Sequence, residues 1–464
     1  MAKEKNVNAA QPAEKTYLKW YNKVGYGSGD LAANMVYGLL TSFVMIYLTD
    51  TVGLNAGIIG TLIMISKFFD GFTDIIFGNL MDKTHSKMGK ARPWMLYSQI
   101  GNSVLLAAVF MIPMSWGKTA QYAYFFIAYT LLNAVFYTAN NIAYAALTSL
   151  ITRNNNERVQ VGTVRFMFSL TTNIVVASVT VGLVEKFGGG AAGWRTVAII
   201  YAIIGLIVNT ISVMSVKELP PEEGEKSALS GPKDEIGIIQ ALKILFSNKY
   251  FIVIVLTYIG IYLQTGFAGI GIYWMTYILG NPAMLGTFSM MGMFPMVLGL
   301  VATPFLVKKF GMYRTNIAGY VWAVVWRIAF IIFGLTLNIP MMLATSFLAG
   351  LGTAPLTGDM NALISATTDY TYKTKGVHVE GAMFSASSVG IKVGGGIGTA
   401  LSGLLLNAGG YIPNAAEQPQ SCINMLNFMY LFFPLIVCVI ILVLLTQLNI
   451  EKANKDWDEA HAQN

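Results

Sequence analysis

The sequence predicts an all-α integral membrane protein: twelve transmembrane helices arranged as two six-helix halves. Three observations carry this. Of its 464 residues, 55% are hydrophobic and only 11% charged, whereas soluble domains carry about 25% charged residues. Apolar runs long enough to cross about 30 Å of hydrocarbon, roughly 20 residues each, recur twelve times. Basic residues concentrate in alternate loops between those runs, as they do in multi-span proteins with a fixed orientation.

Taken in order, the predicted spans are 27–49, 56–80, 94–115, 120–150, 162–185, 194–216, 248–270, 283–307, 316–336, 340–366, 380–407 and 424–447. The runs are too long and too continuously apolar for barrel strands, which need about 10 residues of alternating polarity. The loop after the second span carries Lys83, Lys87, Lys90 and Arg92. Arg153 and Arg158 follow the fourth span, Lys217, Lys226, Lys233, Lys243 and Lys249 the sixth, Lys308, Lys309 and Arg314 the eighth, and Lys373 and Lys375 the tenth. The opposite loops hold chiefly Lys118, Lys186 and Arg195. Both termini are therefore expected in the cytoplasm of a cell-membrane protein. The formal net charge of +7 reads as a topology signal, and no nucleic-acid partner is expected.

The polar stretch from Glu218 to Ser247 contains Pro220, Pro221 and Gly224 and reads as a linker. The chain then divides into a cytoplasmic tail (1–23), a first half (24–217), the linker (218–247), a second half (248–448) and a short tail (449–464). Repeated halves suit alternating access, in which one half rocks on the other around a midplane site. Residues Met1 to Trp20 lack the apolar core of a signal peptide, so the first helix is expected to direct insertion. Cys438 lies inside an apolar run, and a structural disulfide with Cys422 is not expected. His85 and His378 fall in loops and His461 in the tail, with no nucleophile–base or metal-ligand spacing. The chain does not read as an enzyme, and no cofactor is expected.

Ionisable residues inside spans are costly and mark function, at about 2.5–3.5 kcal/mol each on insertion scales. In the second span, Lys67, Asp70, Thr73 and Asp74 are three and four apart and share a helix face. Their oxygens can hold a hard cation, with Asp70 and Asp74 as the ligands if that cation is Na⁺, or can share a proton. The plain alternative is an intrahelical ion pair. Asp30 opens the first span, as a solute acceptor or as a helix N-cap. Thr138, Asn141 and Tyr144 share a face of the fourth span, as ligands or as interhelix glue. Arg165 can line the cavity or snorkel to the surface. Lys392 is too deep to snorkel easily and is expected to face the cavity or the first half. Asp359 and Arg327 are expected to pair or to line the cavity.

The runs Gly25-Tyr26-Gly27-Ser28-Gly29-Asp30, Tyr47-Leu48-Thr49-Asp50-Thr51-Val52-Gly53-Leu54, Phe69-Asp70-Gly71-Phe72-Thr73-Asp74 and Gly89-Lys90-Ala91-Arg92-Pro93-Trp94 resemble the glycoside–pentoside–hexuronide:cation symporter family of the major facilitator superfamily, whose best-known type is the melibiose permease. Asn141-Ile142-Ala143-Tyr144, Thr368-Asp369-Tyr370, Gly376-Val377-His378-Val379-Glu380-Gly381 and Lys392-Val393-Gly394 extend the resemblance over nearly the whole chain.

The resemblance implies the major facilitator fold and cation-coupled symport of a sugar or glycoside of glucuronide, pentoside or oligosaccharide type. It implies Asp70, Thr73, Asp74 and Thr138 at the cation, and Asp30, Asn141, Tyr144, Arg165 and Lys392 at the solute. Lys67 and Lys392 would couple the two. Thr73 stands where the permease has asparagine, and Lys67 where it has arginine. Asn141 replaces an aspartate that contacts sugar there, and Ala145 replaces a tryptophan, so the identity of the sugar does not carry over. The cation is expected to be Na⁺ or H⁺, with Li⁺ also compatible and Na⁺ slightly favoured, and the protein is expected to be a monomer. A transporter-like sensor and a lysolipid carrier are the competing classes. Short tails argue against the first, and polar Asp30, Asn141 and Asn361 against the second.

Overall fold

The computed structural model describes residues 15–220, 243–376 and 380–461. Most of the expected N-terminal tail, residues 221–242 of the expected linker, His378 and the last three residues lie outside the described residues.

The described residues form twelve long helices: α1 (Trp20–Thr51), α2 (Ala56–Asp82), α3 (Arg92–Val109), α4 (Lys118–Leu150), α5 (Asn155–Lys186), α6 (Gly190–Met214), α7 (Lys249–Tyr277), α8 (Met284–Phe310), α9 (Met312–Leu335), α10 (Ile339–Lys375), α11 (Glu380–Ala408) and α12 (Gln420–Asn427, continuing through Phe433–Thr446). An amphipathic helix α13 (Ile450–His461) follows. Among the described residues, eleven helices are long and apolar enough to cross a membrane. The exception is α3, which carries buried Ser98, Gln99, Asn102 and Ser103. These polar groups face protein rather than lipid. Ser103 donates to the Ala202 carbonyl of α6 at 3.0 Å, and the Met95 carbonyl accepts from Asn140 of α4 at 2.8 Å and Asn209 of α6 at 3.0 Å. Interhelical hydrogen bonds of this kind hold membrane helices together.

Local chemistry sets the helix starts. Asn55 caps α2 by accepting from the amides of Gly57 and Ile58. Asn154, Asn248 and Asn338 cap α5, α7 and α10 in the same way, satisfying amides that have no partner within the helix. Two helix starts, those of α3 and α9, are capped instead by carboxylates from distant segments, and a third carboxylate holds the segment ahead of α1. Glu157 accepts from Tyr17 N (3.1 Å) and Leu18 N (3.0 Å) ahead of α1. Glu218 accepts from Lys90, Ala91 and Arg92 N (2.7–2.9 Å) at α3. Glu451 accepts from Met312 N (2.9 Å) and Tyr313 N (3.0 Å) at α9. Anionic groups at helix N-termini are favoured by the helix dipole. At the start of the expected linker, Glu218 is docked on α3, and Leu219 N donates to the Leu150 carbonyl at 2.9 Å. At 37 residues α10 is about 55 Å long at 1.5 Å per residue, so it projects well past the hydrocarbon, ending at 375 rather than the expected 366.

The two halves meet along α2 and α11, α5 and α8, and α1 and α7. Glycines allow the closest approach. A Cβ on Gly403 of α11 would lie 2.3 Å from the Ala56 carbonyl oxygen of α2, and one on Gly60 would lie 2.7 Å from the Thr399 carbonyl oxygen. Small residues let membrane helices touch backbone to backbone. Gly403→Val is therefore expected to prop this end apart. A cysteine placed at Ser402 should then react at least about tenfold faster with a membrane-impermeant thiol reagent than in the parent; an unchanged rate would mean the approach does not seal this end.

Candidate functional site

The register of α2 against α11 sets the site. Gly57 lies opposite Leu404 and Asn407, Gly60 opposite Thr399 and Ala400, and Gly396 opposite Lys67 and Met64. The helices run antiparallel, so Lys392, one turn before Gly396, comes level with Asp70. Its ammonium is hydrogen-bonded to Asp74 Oδ2, lies 2.9 Å from the Asp70 carbonyl oxygen and 3.4 Å from Asp70 Oδ2. The two acids of the first half thus share one cation supplied by the second half.

Asp70 is buried, and Asp74 half-buried. Asp70 Oδ1 accepts from the Thr138 hydroxyl. The same hydroxyl lies 3.0 Å from the Asn133 carbonyl, within the π-turn Leu131–Tyr137 that interrupts α4. Such turns occur often at functional sites. Thr73 turns its hydroxyl back to its own helix, 3.1 Å from the Asp70 carbonyl oxygen and 3.3 Å from that of Phe69. Two carboxylates, two hydroxyls and nearby carbonyls form an oxygen-rich set of the kind that suits a hard cation.

The expected four-residue stripe on α2 is only partly a unit. Among the described residues Lys67 forms no ion pair with Asp70 or Asp74, so the intrahelical alternative is not what the structure contains. The Lys67 ammonium lies 5.9 Å from the centre of the Tyr37 ring, and Lys67 borders a small cavity between the halves. Thr41 of α1, Thr265 of α7, and Thr399 and Ser402 of α11 supply its hydroxyls.

A second cluster forms on α1, α4 and α5. Arg165 Nε donates to Asp30 Oδ2 at 2.7 Å, and Arg165 Nη1 to the Thr148 hydroxyl at 3.1 Å. Asp30 is thus half of an ion pair, and Arg165 points inward rather than snorkelling. The guanidinium stands over the Tyr144 ring at 3.8 Å. Tyr144 is itself fully buried, and its hydroxyl donates to the carbonyls of Tyr26 (2.9 Å) and Gly27 (3.2 Å). It is the floor on which Arg165 rests and not an open contact surface. Asn141 is exposed. It lies on α4 between Thr138, which bonds Asp70 of α2, and Tyr144, which bonds α1. Asp359 and Arg327 do not pair among the described residues. Asp359 is buried against Asn316, and Arg327 lies 5.9 Å from the Phe330 ring.

The residues that sequence reasoning missed lie at the closed end. Asp50, at the end of α1, accepts hydrogen bonds from Tyr277 of α7 at 2.6 Å, from Tyr411 beyond α11, and from Thr49 at 2.8 Å. Its carbonyl accepts from Asn414. Thr49 also lies 2.7 Å from the Tyr273 hydroxyl, and Asn55 donates to Asn407. The signal was present in Asp50 itself, an acid at the end of an apolar run, but it looks like an ordinary helix terminus.

The family described as MFS/sugar transport protein matches residues 25–452. The isoprimeverose transporter of Lactiplantibacillus pentosus is 30% identical over 98% of this chain and 95% of its own length. A putative sulfoquinovose importer of Escherichia coli (strain K12) is 26% identical over 86% of this chain and 84% of its own. A putative glycoside/cation symporter of the same organism, YagG, is 24% identical over 91% and 90%. Among solved structures, the nucleoside transporter NupG superimposes with a TM-score of 0.61 at 13% identity, covering 92% of this chain and 98% of that one, which speaks to fold alone. An all-helical bundle with charged groups at its centre and this family match identify the chain as a multi-pass membrane transporter, not an enzyme, belonging to the glycoside–pentoside–hexuronide type of sugar transporter within the major facilitator superfamily.

Proposed function

We propose that this protein is a cation-coupled symporter that carries a sugar or glycoside into the cell by alternating access, as a monomer in the plasma membrane with both termini cytoplasmic. One observation carries the coupling: the Lys392 ammonium from the second half sits between Asp70 and Asp74 of the first. In the empty carrier that one ammonium contacts both acids, so neither is left without a cationic partner in a low-dielectric site. An incoming Na⁺ or proton takes over that role and releases Lys392 toward the solute. Asp30, Arg165 and Asn141 then bind hydroxyls, with Thr138 linking the cation acids to the helix that carries Asn141. Each ligand raises the affinity for the other by the same factor, because binding free energies are linked. The basic loops lie at the end opposite the Asp50 contacts, so the positive-inside rule makes the closed end extracellular and the conformation inward-facing. The names of relatives that move glycosides, one of them called a glycoside/cation symporter, support the reading.

The test is uptake into proteoliposomes of a labelled panel comprising a β-glucuronide, a xyloside, an α-galactoside and a free pentose, each with an imposed Na⁺ gradient, an imposed proton gradient or neither. Accumulation of one solute under one gradient is expected. If folded protein moves none of them under any gradient, sugar symport is the wrong reading.

A further inference from the structure

A buried acid in the second half has no part in the transport scheme above. Helices α9 and α10 run antiparallel and touch at glycines. A Cβ on Gly319 of α9 would lie 2.5 Å from the Gly352 carbonyl oxygen and 3.5 Å from the Pro355 ring of α10. Asn316, one turn before Gly319, and Asp359, one turn after Pro355, therefore come level. They are 2% and 7% exposed, and the Asn316 side chain is hydrogen-bonded to the Asp359 carboxylate. The donor in that bond is the amide NH2, because an ionised carboxylate can only accept. Beside Asp359, Gly358 packs on Leu300 and Thr303 of α8.

That bond leaves two buried acceptors over. Asp359 Oδ2 and Asn316 Oδ1 have no hydrogen-bond partner among the described residues, whereas buried polar atoms are nearly always paired. The adjacent hydroxyls give their protons elsewhere: Thr303 to the Gly299 carbonyl at 2.8 Å, and Thr315 to the Gly311 carbonyl at 2.7 Å. No lysine or arginine among the described residues offsets the acid either. Lys249 of α7, Lys308 and Lys309 of α8, Arg314 of α9, and Lys452 and Lys455 of α13 are exposed. Arg327 lies three turns further along α9, by the Phe330 ring. Lys373 is paired with Asp458, and Lys392 of α11 with the acids of α2. Asp369, on α10 itself, is exposed. The charge that bears on Asp359 is that of Glu451 on α13, a second anion. A lone carboxylate buried within a span is costly.

We infer that Asp359 and Asn316 form a proton-binding site in the second half, distinct from the acids of α2. One proton on Oδ2 turns the acid into a donor. Its hydroxyl then bonds Asn316 Oδ1, while the amide NH2 keeps the other carboxyl oxygen. Both leftover acceptors are satisfied, and no charge is buried. Asn316 is the fifth residue of α9, about 6 Å along the axis from the helix start, so the proton exchanges with the end that carries the basic loops. Losing it places a second negative charge near Glu451, whose carboxylate holds the Met312 and Tyr313 amides at 2.9 and 3.0 Å. The hold on the start of α9 thus responds to pH on that side, apart from any coupling cation.

The experiment is infrared spectroscopy of the full-length protein, purified and folded, without solute. The parent should show a protonated-carboxyl C=O band that shifts in D2O, and Asp359→Asn should lose the intensity of one carboxyl from it. Asn316→Ala removes the partner, so that band should move to higher wavenumber. Asp70→Asn should leave it in place. No loss in Asp359→Asn means an ionised acid and overturns the inference. Bleaching of the band by Na⁺ at constant pH overturns it too, because the pair is then a metal site. Loss of the band in Asp70→Asn assigns it to α2, with the same consequence. If Asp359→Asn does not fold, Asn316→Ala decides: an unshifted band there overturns the pairing. No solute is needed, so the outcome is independent of the symport reading.

Discussion

Asp70→Asn is expected to abolish cation-driven accumulation, lowering it by about 100-fold or more, while leaving a folded protein. Asp70 is the better buried of the two acids. It is also the one that joins three helices, accepting from Thr138 of α4 and facing Lys392 of α11 from α2. Removing one partner of a buried charged set costs about 3–5 kcal/mol, and each 1.36 kcal/mol is a factor of ten. Asp74→Asn should do less, because Asp74 is more exposed and Lys392 would keep the Asp70 carboxylate and carbonyl as partners. The measurement is gradient-driven uptake beside equilibrium exchange of the same solute in the same vesicles. The solute cluster of Asp30, Arg165 and Asn141 is untouched by the substitution, so exchange should survive better than accumulation. Full retention of accumulation in Asp70→Asn would remove the α2 acids from the coupling site.

The apolar runs made the twelve helices readable, because hydrocarbon thickness imposes a length on every span. Even the boundaries erred where physics allows: α10 runs on past the membrane, and α3 is polar because its Ser, Gln and Asn face α4 and α6. The charged residues were readable as functional because their burial in lipid needs a reason. Their partners were not readable. Spacing puts Lys67, Asp70 and Asp74 on one face, which suggests an intrahelical pair. Which cation serves the acids is decided by the register between α2 and α11, and that register is fixed by glycine contacts more than 300 residues apart in sequence. Tyr144 was readable as polar and inward. Only the fold shows that its hydroxyl is already bonded to α1 and that its ring supports Arg165. Asp50 lies 227 residues from Tyr277 and 361 from Tyr411, so nothing local announces its partners.

That distance makes Asp50 the second decisive position. Its carboxylate and carbonyl collect hydrogen bonds from Tyr277, Tyr411 and Asn414, all of the second half, while Asp50 ends the first helix of the first half. Hydrogen bonds to a charged acceptor are worth about 1.5–3 kcal/mol each. Two of them acting only in the state closed at this end bias the equilibrium by several kcal/mol, and a two-state population moves from 1:99 to 99:1 over about 5.5 kcal/mol. Asp50→Ala removes both tyrosine bonds at once. It is expected to shift the carrier toward the state open at this end, so that a cysteine at Thr265, which borders the cavity, reacts with an impermeant thiol reagent at least about tenfold faster. The native Cys422 and Cys438 are buried and give the background. Tyr277→Phe and Tyr411→Phe should each give a smaller increase, and together approach the effect of Asp50→Ala, since they remove the same two bonds from the other side. Net uptake should fall in all of these variants, because a carrier held open at one end completes fewer cycles. If Thr265 labelling is unchanged in Asp50→Ala, the carboxylate does not hold this end shut, and closure must rest on the backbone contacts of Gly60 and Gly403 instead.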